Sequence, residues 1–193
     1  MSETKTVEIE LRSKDDAKLA EIWSQLREYL AAHNPGLPYS PFEHIVRELV
    51  FNSIKANLKR IFLEQNGEGA VDAPDFREAL ENFSPELLQQ AESSQYHVRV
   101  RFAALPAEGG FEVSVENNTA MLPAEKQLVD RLLSADPAHD ASSGESASGE
   151  GGGLGLSMVG KILQNCGMER SALQYESNQA STQFRLRVPA GTA

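Results

Sequence analysis

Cysteine and long apolar runs are nearly absent from this chain of 193 residues. The single cysteine, Cys166, excludes an intramolecular disulfide and any metal site built from several cysteines, and it fits a reducing compartment. No apolar run reaches the roughly 18 residues that a membrane-spanning helix needs, and the opening MSETKTVEIELR lacks the apolar core of a signal peptide. We therefore expect a cytoplasmic protein that has no membrane partner.

Positive charge is also scarce, with 18 Lys and Arg against 28 Asp and Glu and a formal net charge of −10. This balance disfavours non-specific binding to nucleic acid or anionic lipid, so we expect no nucleic-acid partner. An acidic protein that binds an anionic ligand needs a local cluster of donors or a metal ion. The length fits a single domain that spans residues 1–193.

Apolar periodicity predicts both helices and strands. Helical spacing predicts an amphipathic helix at 14–33 and a long helix from about Ser40 to Gln65, which Ser40 and Glu43 would cap at its start. Residues 66–95 indicate a helical insertion. Strict alternation predicts strands at 5–12, 98–102, 111–116, 170–176 and 182–188.

The predicted strands are joined largely as antiparallel hairpins. Arg99 and Arg101 on one strand would then pair with Glu112 and Glu116 on the next. Mixed helices and hairpins predict an α+β fold: a two-layer sandwich with a mixed, mostly antiparallel sheet covered on one face by helices.

Polar side chains form a stripe on the long predicted helix. Glu48, Asn52, Lys55 and Lys59 are spaced by four, three and four residues and therefore share one face. An amide oxygen of Asn52, together with phosphate groups, can hold Mg²⁺, which prefers oxygen ligands and keeps most of its waters. Glu48 can orient or deprotonate a nucleophile, and Lys55 can neutralise phosphate charge. The alternative is a solvated stripe with a Glu–Lys pair.

A glycine-rich stretch precedes the last predicted helix. Four of the five residues at 151–155 are glycines, which let the backbone approach a ligand, and the following helix offers free N–H groups that favour phosphate. A glycine linker that enters a helix is the alternative. The spacing of Gly155, Gly160 and Lys161 imitates a P-loop, but Ile162 stands where Ser or Thr must bind magnesium, so we reject that assignment.

The segment 119–150 combines a short predicted helix, at about 123–134, with a tail rich in Ser, Gly and Ala. An interdomain linker is one interpretation of such a composition. Because only about forty residues follow, too few for a separate domain of ordinary size, we favour a mobile loop over a site.

Together these features resemble the GHKL superfamily of ATP-binding domains, which includes histidine-kinase catalytic domains, gyrase-type topoisomerases, the large heat-shock chaperone and mismatch-repair ATPases. Residues Glu48–Asn57 resemble its N box, and 113–119 (VSVENNT) lie where its D-x-G box is expected. Residues 151–156 (GGGLGL) match its glycine-rich box, and 181–184 (STQF) resemble its closing G-T-x-F strand. The resemblance spans about residues 40–189 and implies the Bergerat ATP-binding fold.

This resemblance implies ATP and Mg²⁺ as cofactors and assigns roles to individual residues. Asn52 is the implied Mg²⁺ ligand, Glu48 is the candidate catalytic base, and the segment 119–150 is the implied ATP lid. The implied nucleotide-binding residues are Asn52, Lys55, Asn57, Asn117, Gly151, Gly153, Leu154, Gly155, Leu156 and Thr182.

The chain departs from the family pattern around the adenine. Asn117, or Glu116 if the alignment shifts by one residue, stands where the family has an aspartate that accepts the adenine amino hydrogen. Thr119 replaces a glycine, and Ser181 replaces the glycine of the last box. An uncharged amide oxygen still accepts a hydrogen bond, at a cost of about 1–2 kcal/mol. These departures predict weaker ATP binding or an altered base preference.

We therefore predict a stand-alone domain of the histidine-kinase catalytic type, which binds Mg-ATP and transfers or hydrolyses the γ-phosphate in signal transduction. A partner protein would supply the phosphate acceptor, and the helix at 14–33 is a candidate docking or homodimer surface. Two alternatives stay open. One is a protein serine kinase of the anti-sigma type, and the other is a non-catalytic nucleotide sensor, which the altered adenine box favours.

Overall fold

The computed structural model of the protein describes residues 6–67, 74–107, 109–134 and 153–191. These residues form five strands and six α-helices, with a short 3₁₀ turn before the fourth strand. The strands are β1 (Thr6–Leu11), β2 (Val98–Ala104), β3 (Phe111–Asn117), β4 (Leu173–Ser177) and β5 (Thr182–Val188). The helices are α1 (Asp16–His33), α2 (Tyr39–Asn66), α3 (Pro74–Glu81), α4 (Pro85–Ser93), α5 (Pro123–Ser134) and α6 (Gly153–Asn165).

The five strands form one sheet in the order β1-β2-β3-β5-β4. Val100, Phe102 and Val113 are fully buried on one face, against which α1 and α2 pack, while Arg99 and Arg101 lie on the other. This arrangement confirms the predicted α+β sandwich with helices on one sheet face. Each described ladder is antiparallel, so the parallel pairing that a mixed sheet permits does not occur among them.

The long helix α2 organises the core. Its apolar face is buried along its whole length, and it contacts β2, β3, α4 and α6. Because a helix of 28 residues is about 42 Å long, it crosses the sheet and carries its side chains to both ends of the sandwich. The buried apolar residues on it are Phe42, Ile45, Val46, Leu49, Val50, Ile54, Leu58 and Ile61.

Helix starts follow local sequence in two cases and not in a third. Asp15 caps α1 by accepting from two backbone N–H groups, and Ser84 caps α4 with Pro85 in its first turn. Helix α2 begins at Tyr39, and its N-cap Pro38 makes no side-chain cap bond, so the predicted Ser40 cap is wrong. The Tyr39 hydroxyl donates to the Trp23 carbonyl oxygen at 3.3 Å, a tertiary contact that holds this residue against α1.

The open face of the sheet carries ion pairs between strands. Arg101 contacts Glu8 at 2.8 Å and Arg99 contacts Glu10 at 3.6 Å, so the β2 arginines pair with β1. The predicted pairing with the β3 acids is therefore wrong. On β1, Glu8 lies directly opposite Arg101 and Glu10 opposite Arg99, and on β3 Glu112 pairs instead with Arg187 of β5 at 3.0 Å. Glu116 also lies opposite Arg99, so register alone does not decide the choice. Such half-exposed pairs each contribute about 0.2–1 kcal/mol.

Four further helices flank the core. Helices α3 and α4 lie within the predicted insertion 66–95, and α1 covers β1 and β2 with buried Leu19, Ile22 and Leu26. Helix α5 lies within the predicted lid 119–150, of which residues 135–150 fall outside the described residues. Within the described ranges, no helix combines the length and apolar character that crossing a membrane requires.

Candidate functional site

Four buried polar side chains meet between α2 and the sheet, within a largely apolar core. Asn57 on α2 is 1% exposed, and Asn117, Thr119 and Thr182 on the sheet side are 3%, 6% and 2% exposed. Buried polar groups are normally paired, because an unpaired one costs free energy on folding. We call these four residues the polar seam.

The register of the sheet explains why these residues meet. Asn117 is the last residue of β3, and Thr182 is the first residue of β5, directly opposite it. Both side chains point to the helix-covered face, and Thr119 follows two residues after Asn117. Because α2 crosses β3 on that face, the Asn57 side chain reaches the same point from above.

Hydrogen bonds join the polar seam into one network. The Asn117 amide nitrogen donates to the Thr119 hydroxyl at 2.5 Å and lies 3.5 Å from the Asn57 amide oxygen. The Thr119 hydroxyl in turn donates to that Asn57 oxygen at 3.2 Å. The nitrogen of Asn117 is therefore directed into the network, and its side-chain oxygen takes no part in these bonds.

Side-chain hydroxyls on β4 and β5 hold the backbone of residues 119–121, which follow β3. Thr182 donates to the Thr119 carbonyl oxygen at 2.9 Å, and Ser177 lies 2.9 Å from the Thr182 hydroxyl. The Ser177 oxygen also accepts from the Met121 backbone N–H at 3.1 Å. The path of residues 119–121 is thus fixed by side chains of the two last strands.

Three buried polar atoms on α2 have no hydrogen-bond partner among the described residues. They are the amide nitrogens of Asn52 and Asn57 and the hydroxyl of Ser53. Each such atom costs about 1–3 kcal/mol when it stays unpaired. Because the atoms lie within six consecutive residues of one helix, they mark a place where a polar ligand would supply the missing partners.

Helix α6 packs against α2 and α5, and its first residues belong to the glycine-rich stretch. Gly153, Leu154 and Gly155 form its first turn, and Leu156 is buried. Gly151 lies outside the described residues. The backbone N–H groups of a first helical turn have no partner within the helix, and the helix dipole adds positive potential there.

The rest of the predicted polar stripe divides between two environments. The Lys55 ammonium lies 5.5 Å from the centre of the Phe83 ring, so in this structure it faces the turn between α3 and α4. Glu48 is half-buried one helical turn before Asn52, and its carboxylate makes no ion pair with the described residues. The Lys59 ammonium lies 3.5 Å from the Glu125 carboxylate. The position of Lys59 on the stripe does not predict this contact.

The sequence analysis did not predict the contacts of Arg60 at the start of α5, which we call the Arg60 clamp. Arg60 donates to the Ala120 carbonyl oxygen at 2.8 Å and to Glu125 at 2.6 Å, with side chains only 12% and 19% exposed. Burial by itself raises the pKa of the Glu125 carboxyl, but Arg60, the Leu122 N–H and Lys59 outweigh it and hold that pKa below its ordinary value. The sequence does contain one signal for this helix start, because Glu125 follows Pro123 by two residues and proline and acidic residues favour the first turn of a helix.

A pocket of about 310 Å³ lies elsewhere, at the outer edge of β4. It is lined by Leu133, Gln174, Tyr175, Glu176 and Arg185. None of the predicted site residues lines it, and it lacks the unpartnered buried atoms found on α2. We therefore place the candidate site at the polar seam and the first turn of α6.

Comparisons with known proteins concern the family of the chain rather than the position of the site. The sequence model of the histidine kinase-, DNA gyrase B-, and HSP90-like ATPases matches residues 39–192, which begin at the first residue of α2. The chain is also similar to an uncharacterised protein of Treponema pallidum (strain Nichols), at 26% identity over 155 residues. That alignment covers 76% of this chain and 30% of the relative, so the chain spans less than a third of that protein's length. No solved structure matches the chain.

Proposed function

The chain belongs to the family of histidine kinase-, DNA gyrase B- and HSP90-like ATPases, and from this premise we propose that it binds Mg-ATP between α2 and α6. The family is one of ATP-binding domains, so a nucleotide site is expected within residues 39–192. The observation that carries its position is the set of unpartnered buried polar atoms on Asn52, Ser53 and Asn57. Asn57 belongs to the polar seam, and α6 packs against the helix that carries all three residues.

The proposed pose places the base at the polar seam and the phosphates at α6. Asn57, Asn117 and Thr182 surround the base end, and the first turn of α6 offers N–H groups and a positive dipole to the phosphate end. Asn52 lies five residues before Asn57, about 7.5 Å along the helix axis. One helix therefore lines the ligand from its base to its phosphates.

The residues fit a magnesium ion that arrives with the nucleotide. Among the described residues, no three His, Cys, Asp or Glu side chains cluster closely enough to hold a metal ion by themselves. Mg²⁺ commonly uses one or two protein oxygens together with substrate phosphates and water, and the Asn52 amide oxygen suits that role. When bound, the ion would neutralise charge on the polyphosphate.

We further propose that the bound γ-phosphate is transferred or hydrolysed, as in histidine-kinase catalytic domains. Glu48 is the proposed base, because it lies one turn from Asn52 on the same stripe and is not engaged by an ion pair among the described residues. A partner protein would provide the phosphate acceptor, and the activity would serve signal transduction.

Calorimetric titration with ATP, with and without Mg²⁺, tests the binding site. We expect Asn52→Ala to lose at least about tenfold in affinity in the presence of Mg²⁺ and to show little difference without it. Asn66→Ala is the matched control, because Asn66 is an exposed amide at the end of the same helix. Unchanged affinity and unchanged metal dependence in Asn52→Ala would refute the assignment.

Incubation with γ-labelled ATP and candidate partner proteins tests the reaction. Phosphohistidine is labile to acid and phosphoserine is stable, so acid treatment of the labelled partner separates a histidine-kinase type from a serine kinase of the anti-sigma type. We expect the partner protein to become labelled and to lose its label in acid. We expect the Glu48→Gln variant to transfer no label. Label that survives acid would favour the serine kinase.

A non-catalytic nucleotide sensor is a second candidate, which one observation favours. Asn117 replaces the charged group expected at the base, and its amide is bound into a neutral network with Asn57 and Thr119. A weaker grip on the base suits a sensor that responds to nucleotide concentration. Binding of Mg-ATP with neither hydrolysis nor label transfer would favour this candidate.

A further inference from the structure

We propose that the base end of the site accepts 6-amino and 6-keto purines with similar affinity, so that its ligand class is purine nucleoside triphosphates rather than ATP alone. This inference rests on the proposed function and deepens it. It concerns Asn57, Thr119 and Asn117, which we call the amide network. Two amides and one hydroxyl make up this network, and each of these groups can both donate and accept a hydrogen bond.

The observed arrangement of the amide network suits adenine. Both the Thr119 hydroxyl and the Asn57 oxygen lie within 3.5 Å of the Asn117 nitrogen, at 2.5 and 3.5 Å. The Asn117 oxygen therefore faces the ligand, where it can accept a hydrogen from a 6-amino group. In this arrangement the Asn57 amide nitrogen is buried and has no hydrogen-bond partner among the described residues, which costs free energy of folding.

The same three side chains support the opposite arrangement. If both amides turn by 180°, the Thr119 hydroxyl and the Asn57 nitrogen donate to the Asn117 oxygen, and the Asn117 nitrogen faces the ligand. The Asn57 nitrogen then gains its missing partner, and the Asn57 oxygen becomes the unpartnered atom instead. Because one buried atom stays unpaired in either arrangement, the two differ mainly by the long 3.5 Å contact of the Asn117 nitrogen with the Thr119 carbonyl oxygen, which reversal replaces by two facing acceptors.

Apart from the Thr119 carbonyl oxygen, the contacts that hold the neighbouring backbone do not involve the two amides. Thr182 donates to the Thr119 carbonyl oxygen, and Ser177 accepts from the Met121 N–H, so the backbone beside the network is fixed by other groups. Reversal thus needs two side-chain rotations and a hydroxyl rotation only. No strand or helix has to shift.

Reversal changes which purine edge the site matches. Adenine presents a donor at its 6-amino group, whereas hypoxanthine presents an acceptor at O6 and a donor at N1. An asparagine can offer either its oxygen or its nitrogen, but a carboxylate can only accept. The aspartate that the family pattern has at this position would therefore repel O6, and Asn117 removes that discrimination.

Titration of the unaltered chain with Mg-ATP and Mg-ITP tests this inference without any variant. ITP differs from ATP only at the purine edge that the network contacts. We expect the two dissociation constants to agree within about tenfold. If ATP binds and ITP binds more than tenfold weaker, the inference fails while the proposed function stands. If neither nucleotide binds, the proposed function fails as well.

Asn117→Asp then tests the role of the amide itself. A carboxylate cannot reverse, so we expect this variant to prefer ATP over ITP by at least about 30-fold. Asn66→Asp adds the same charge at an exposed position nine residues from Asn57 and should leave the ratio unchanged. A ratio in Asn117→Asp equal to that of the unaltered chain overturns the inference. If this variant does not fold in a thermal melt, the comparison on the unaltered chain decides alone.

Discussion

Replacing Arg60 by methionine removes the guanidinium that joins the second half of α2 to the start of α5. Methionine keeps an aliphatic chain of similar length, so packing along the stem is largely preserved. The lost contacts are two with the Glu125 carboxylate, at 2.6 and 3.3 Å, and one with the Ala120 carbonyl oxygen, at 2.8 Å. Glu125 keeps the Leu122 N–H at 2.8 Å and Lys59 at 3.5 Å.

The expected loss in the free energy of unfolding is about 3 kcal/mol. Removing one partner of a fully buried ion pair costs about 3–5 kcal/mol. Because the side chains of Arg60 and Glu125 are still 12% and 19% exposed and Lys59 stays nearby, the lower end applies. For a domain of this size, about 3 kcal/mol corresponds to a fall of about 6–12 °C in Tm.

Urea denaturation at several pH values measures this loss and its cause. The folded-state pKa of Glu125 lies below its ordinary value of 4.5, so the stability that the clamp provides is fully present above pH 4.5 and is lost as pH falls through the folded pKa. We therefore expect the difference between the unaltered chain and Arg60→Met to be constant from pH 6 to 8 and to shrink below about pH 4.5.

A double-mutant cycle with Glu125→Gln isolates the pair. We expect the double variant Arg60→Met/Glu125→Gln to lose about 1–3 kcal/mol less free energy of unfolding than the sum of the losses in the two single variants. The reason is that Glu125→Gln removes the carboxylate that Arg60→Met leaves without its guanidinium partner. Additive losses, or a difference that does not shrink in acid, would show that Arg60 acts through packing and that the clamp has no electrostatic part.

Further predictions concern the fold and the outer edge of the sheet. Gly110→Ala should cost about 3 kcal/mol or more in urea denaturation, because Gly110 has φ +93° and an added Cβ would lie 2.2 Å from the Val188 carbonyl oxygen; Gly67→Ala, at φ +79° in open space, should cost only about 1 kcal/mol. Tyr175→Phe should cost about 1 kcal/mol by removing the hydrogen bond to Asp130. Burial, together with that carboxylate, raises the pKa of Tyr175 to about 12, so the contribution should be present below pH 10 and disappear as pH rises through 12 in an alkaline titration. Equal losses in the two glycine variants, or a Tyr175→Phe difference that persists above pH 12, would contradict these assignments.

The elements of the fold were predictable because their apolar periodicity is strong. The alternation in β2, β3 and β5 and the helical spacing in α1, α2 and α6 mark the buried face of each element, and the structure has these elements at nearly the predicted bounds. Partner choice between elements was less predictable. Arg99 has an acid directly opposite it on each neighbouring strand, Glu10 on β1 and Glu116 on β3, so only the three-dimensional arrangement of the side chains decides which acid it meets.

The resemblance to GHKL ATP-binding domains, rather than spacing, predicts most of the polar residues of the candidate site. It implies Asn57, Asn117 and Thr182 as nucleotide contacts, and the structure joins them through one seam. Thr119 was noted only as a departure from a glycine, although its hydroxyl and carbonyl oxygen are the centre of the network. Lys55 shares the predicted stripe but faces Phe83, because α3 and α4 pack against that side of α2.

By itself, the sequence determined which side chains of each helix and strand face the core. It also determined that the chain carries both a glycine-rich helix start and a polar stripe on a long helix. Periodicity carries this information because burial acts on each side chain separately, through its position on a helix or strand. Only the tertiary structure decided that the Arg60 clamp exists, that the Asn117 nitrogen points inward, and that Asn57 keeps an unpaired donor. Hydrogen bonds and ion pairs need two groups at a set distance and angle, and residues sixty positions apart reach such a geometry only when α2 is packed on the sheet.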